Sequence, residues 1–81
     1  MHELSLAAEI LRLVQDAAAR ERFTRVATLR LEAGERAGVE VDALRFALEA
    51  VAPGTCLEGA DIAIEQPPGR ALRVRELLVH D

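Results

Sequence analysis

Between Glu3 and Arg22, apolar residues recur at Ala7, Ile10, Leu11, Val14, Ala17 and Ala18, with Leu4 extending the stripe. Side chains three and four apart stack on one face of a helix, so this spacing predicts an amphipathic helix. The opposite face carries Glu9, Arg12, Asp16 and Arg20, and the Glu9/Arg12 and Asp16/Arg20 spacings suit weak helical ion pairs. The period then changes. In RVATLRLEAGE, Ala27, Leu29, Leu31 and Ala33 alternate with Thr28, Arg30 and Glu32, the signature of a strand with one buried face, ended by Gly34. VDALRFALEAV returns to helical spacing, with Leu44, Ala47, Leu48 and Val51 on one side, Phe46 flanking, and Pro53-Gly54 as the stop. Two more strands are predicted at about residues 60–65 and 70–79, joined by QPPG. Ile62 and Ile64 share a phase, as do Leu72 and Val74, so each strand offers one apolar face.

The predicted order is α-β-α-β-β, an α+β fold. Two helices on one face of a three-stranded mixed sheet hide the apolar side of every element against the other layer. The strand-helix-strand segment, residues 25–66, predicts a parallel, right-handed crossover. With 81 residues and no repeat, linker or low-complexity tract, residues 1–81 are read as a single domain, whose core is thin because so short a chain buries only about 60% of its unfolded surface.

Composition narrows the class. At 51% apolar and 30% charged residues the chain is an ordinary globular domain rather than a disordered one. Net charge is −4 and its arginines form no stripe, so a phosphate backbone meets mostly repulsion and nucleic acid is not an expected partner. The first helix carries Glu3, Glu9 and Asp16 and has no long uninterrupted apolar run, which argues against a signal peptide or a membrane span and for a cytoplasmic protein with no membrane partner.

Most catalytic chemistry lacks its parts. Two histidines lie near the two ends and the one serine sits on a helix, so a nucleophile-base-acid triad has no basis. GERAG and PGT match no phosphate-binding fingerprint. Cys56, in GTCLEGA, has no partner for a disulfide or a Cys-x-x-Cys knuckle and reads as a small buried residue rather than a reactive thiol. The expectation is a protein that is not an enzyme. His80, in VHD, is read as solvated.

One constellation remains. The chain opens MHE, and a second residue as large as histidine is expected to leave Met1 in place. A free amine, two backbone amides and the His2 imidazole then lie within a few bonds of each other. Nickel(II) favours a square plane of nitrogen donors, so Met1, His2 and Glu3 together are a candidate nickel site. Glu3 is also suited to the positive end of a helix. Glu40, where the second helix begins, is read first as a cap carboxylate and second as a group that reaches the metal from a neighbouring loop.

MHELSLA, RLEAGERAGVE, DALRFALEAV and GTCLEGADIAIE, in this order and spacing, resemble the HypA/HybF family of hydrogenase and urease nickel-incorporation metallochaperones. The resemblance covers nearly the whole chain. It implies a nickel-binding accessory protein for maturation of a [NiFe]-hydrogenase or another nickel enzyme, with Ni(II) held by the Met1 amine, the backbone nitrogens of His2 and Glu3 and the His2 imidazole. It also implies a GTPase partner of nickel insertion and a hydrogenase large subunit. The family carries a zinc module with two Cys-x-x-Cys pairs where this chain has QPPGR, so the zinc domain is expected to be absent at about residues 66–70 and no zinc is expected. The alternative is an interaction module that keeps the fold and partner surface without metal. An exposed sheet edge further admits a homo-oligomer or strand-swapped dimer.

Overall fold

The structure is a computed structural model that describes residues 2–80. Its elements follow the predicted order: α1 (His2–Glu21), β1 (Val26–Ala33), α2 (Val41–Val51), β2 (Asp61–Glu65) and β3 (Leu72–Val79). The fold is α+β, with both helices on one face of a mixed sheet in the order β2-β1-β3. β1 pairs in parallel with β2, as a helical crossover through α2 requires, and antiparallel with β3.

The core is Ala7, Ile10 and Val14 of α1, Val26, Leu29, Leu31 and Ala33 of β1, Leu44, Ala47 and Leu48 of α2, and Ala52 and Leu57 beyond it. The central strand and the facing helix stripes bury their apolar sides together, which is the main stabilisation open to so small a domain.

Several predicted details shift. Helix α1 ends at Glu21, not Arg22, because Arg22 takes a left-handed conformation (φ 63°) and Phe23 N donates to the Ala18 carbonyl. Leu4 lies off the buried stripe, 49% exposed, and Leu6 is the residue of the first turns that packs against the core. Asp16 pairs with Arg12 at 3.1 Å rather than with Arg20, since Arg12 stands between Glu9 and Asp16 and reaches both. Phe46, 73% exposed, faces water. In β1 the buried set begins at Val26 instead of Ala27, because the pairing with β3 slips between Val26 and Thr28 and one extra residue moves to the other face.

A second irregularity lies opposite. Arg30 pairs with Glu76 and Leu31 with Val74, so Arg75 is the extra residue of a bulge. Leu72 and Val74 share the helix side, as predicted, and beyond the bulge Leu77 and Val79 take it over. The open face of the sheet is an ion-pair lattice. Arg30 meets Glu65 at 3.3 Å and Glu76 at 3.6 Å; Arg73 meets Glu32 at 2.6 Å; Arg75 meets Glu65 at 2.9 Å and Glu32 at 3.6 Å. Apart from Glu32, these side chains are well exposed, so the pairs are individually weak.

The GERAG turn after β1 is fastened to the QPPGR connection before β3. Gly34 N donates to Ala71 O, Glu35 N to Pro67 O and Arg36 N to Gly69 O, each at 2.8 Å. Gly34 has backbone so close to it that a Cβ there would overlap the Gly69 carbonyl. The two turns therefore act as one unit, which fixes where β3 enters the sheet and where the chain leaves for α2.

Candidate metal centre

Met1 lies outside the described residues, so the described part of the proposed donor set is His2 and Glu3. Both stand in the first turn of α1, where backbone N–H groups have no carbonyl partner within the helix. The His2 imidazole is 59% exposed, whereas the Glu3 side chain is only 18% exposed. The difference has a cause: Glu3 Oε2 accepts a hydrogen bond from Glu40 N at 3.0 Å and lies 3.5 Å from His2 Nδ1. One carboxylate oxygen thus spans the start of α1 and the start of α2.

Glu40 is the N-cap of α2. Its backbone is extended (φ −84°, ψ 107°) and its Oε1 accepts from Ala43 N at 3.0 Å. The cap reading therefore has its hydrogen bond. The Glu40 backbone also lies beside Glu3, so the structure brings His2, Glu3 and Glu40 together across 37 positions of sequence, although the Glu40 carboxylate is occupied at its own helix. Spacing alone predicted the cap; the Glu3 to Glu40 bridge left no signal in it, because it depends on how α1 and α2 pack.

Electrostatics at this corner are unusual. The N-termini of α1 and α2 meet there, and each is the positive end of a helix dipole. The hydrogen bond from Glu40 N, with a smaller attraction from His2, holds the Glu3 carboxyl below the usual carboxylate range. Glu3 therefore stays charged and offsets the two dipoles. Among the described residues no group of three or more His, Cys, Asp or Glu side chains could hold a metal ion.

The remaining candidates lie elsewhere in the fold. Cys56 is half-buried, and burial pushes its thiol up, away from the reactive thiolate. Its carbonyl accepts from Val26 N at 2.9 Å. His80 is exposed and its backbone N donates to Arg25 O at 3.1 Å. No helix among the described residues is long and apolar enough to cross a membrane.

An α+β domain with the starts of two helices gathered around an N-terminal His-Glu pair defines the class of structure. Residues 1–72 match the family of hydrogenase/urease nickel incorporation metallochaperones, HypA, and the chain belongs to it. It is 72% identical over 71 residues to the hydrogenase maturation factor HypA of Cupriavidus necator, covering 88% of this chain and 60% of that protein. The corresponding protein of Polaromonas naphthalenivorans is 63% identical over 71 residues, with 88% and 62% covered, and that of Cereibacter sphaeroides 50% over 72 residues, with 89% and 64% covered. The chain thus spans about three fifths of the length of these curated relatives. Of β3, only Leu72 falls within the family match.

Proposed function

We propose that this chain is a nickel carrier for the maturation of a [NiFe]-hydrogenase or another nickel enzyme, and that it performs no catalysis. The observation that supports this most is the corner where His2 and Glu3, in the first turn of α1, meet the N-cap of α2. The donors are the Met1 amine, the amide nitrogens of His2 and Glu3, and the His2 imidazole. Two amides that lose their protons cancel the charge of Ni(II), so the loaded site is neutral and tolerable where two positive helix ends converge. The same helix ends favour the anionic amides. Protons compete with nickel for these nitrogens, so affinity rises with pH.

Glu3 has a divided role in this reading. Its backbone nitrogen is a donor, while its carboxylate, bonded to Glu40 N, anchors the start of α1 to α2. Glu40 acts through that bridge rather than as a ligand. An imidazole as exposed as that of His2 leaves nickel an open route away, as delivery requires.

The partners proposed are a GTPase of nickel insertion and the hydrogenase large subunit, with a cytoplasmic location. Residues 66–70 run directly from β2 toward β3, and nickel holding in this chain is proposed to need no zinc module. The test is hydrogenase activity in cells whose only copy of this gene encodes His2→Ala. Loss of nickel loading with partner capture retained supports the carrier reading; unchanged maturation supports a metal-free interaction module instead.

A further inference from the structure

β3 has one neighbour. In the order β2-β1-β3 its outer edge pairs with no other strand among the described residues, and at eight residues it is as long as the central strand. An open edge of that length is a template for another chain.

The pattern along this edge is self-complementary. Because of the bulge at Arg75, the helix side carries Leu72, Val74, Leu77 and Val79, and the open side carries Arg73, Arg75, Glu76 and Leu78. That sequence of faces reads identically from either end. A two-fold axis between Arg75 and Glu76 therefore sets Leu72 against Val79 and Val74 against Leu77 of a second copy on the helix side. On the open side it sets Arg75 against Glu76, twice, and Arg73 against Leu78. Every pair stays on one face, as antiparallel pairing demands, and opposite charges meet at the axis. The other edge fails the same operation, because self-pairing of β2 sets Asp61 against Glu65.

The helix side of β3 is also unfinished. Leu72, Val74 and Leu77 are only half-buried, Val79 is 41% exposed, and across the groove Leu13 of α1 is 47% exposed. A second copy paired at β3 covers this strip with its own.

We propose that the free edge of β3 is a two-fold dimer interface, joining two copies of this chain in one continuous sheet with three strands from each. An isologous contact of this kind closes on itself, so it gives a dimer and not a fibre. It goes beyond the nickel reading and holds without metal.

The test is sedimentation velocity of the whole chain in a chelator, from micromolar to millimolar concentration. The expected result is a monomer-dimer equilibrium between 8.8 kDa and twice that mass. Leu78, 44% exposed on the open face, is the diagnostic position, since the axis sets it opposite Arg73 of the second copy. Leu78→Lys should raise the dimer dissociation constant roughly tenfold and Leu78→Glu should lower it by about as much, from two symmetric contacts. The contrast should shrink at high salt. Arg75→Glu, which sets two carboxylates together at the axis, must also weaken the dimer. Circular dichroism checks that each variant is folded. A monomer at every concentration, or a dimer indifferent to the sign of the charge at 78, overturns the proposal.

Discussion

Replacing Gly34 by alanine tests whether the QPPGR connection is built into the domain. No positive φ requires glycine there, so the penalty is steric: the new Cβ would overlap the Gly69 carbonyl and press on Arg70 N. Both are backbone, and neither can swing aside as a side chain would. The connection must move, and the three 2.8 Å hydrogen bonds to Ala71, Pro67 and Gly69 are strained or lost. At about 1 kcal/mol net for each bond, the loss is roughly 2–3 kcal/mol, in line with overpacking elsewhere. For a domain of this size that lowers the melting temperature by roughly 10–20 °C. Gly38→Ala is the control, because φ there is +74° and nothing lies within 4 Å of the added carbon. Its cost is conformational, about 1 kcal/mol, and Gly38→Asn should recover part of it. Thermal melts of the three variants followed by circular dichroism give the answer. Equal costs at 34 and 38 would refute the steric argument and mean that the two turns are not one unit.

Other consequences follow from the packing and from the Glu3 bridge. Leu44→Ala empties a fully buried core position on α2 and should cost about 2–5 kcal/mol in urea unfolding, whereas Phe46→Ala, at an exposed position, should cost well under 1 kcal/mol. Glu3→Gln keeps an acceptor for Glu40 N but removes the charge. Because the folded-state Glu3 carboxyl sits below its unfolded value, its contribution is complete above the ordinary carboxylate range and is lost as pH falls through the lowered value. The melting temperatures of native chain and variant should therefore differ at pH 7 and converge in acid; a difference independent of pH would sink this assignment.

Much of the fold was legible because period and element agree. All five elements were visible in the alternation of 3.6-residue and 2-residue spacing, and α2 matched VDALRFALEAV residue for residue. What escaped was set by pairing between distant segments. Val26 rather than Ala27 is buried, and Leu77 rather than Glu76 continues the phase of Leu72 and Val74, since each bulge moves one residue across the sheet. Nothing in a local window reveals where a partner strand will force a slip. The proposed site divides in the same way. His2 and Glu3 are proposed from chain chemistry and family likeness, whereas the hydrogen bond from Glu40 N to Glu3 depends on the packing of α1 against α2.

The central claim is that nickel binds at the first residues. It is tested most directly by titrating nickel(II) into untagged protein while recording visible absorbance, beside His2→Ala and a form with one extra glycine before Met1. The account predicts about one equivalent bound with a square-planar absorption band, stronger at higher pH and absent from both variants. A folded, untagged chain that binds no nickel, or whose band survives in either variant, would contradict it.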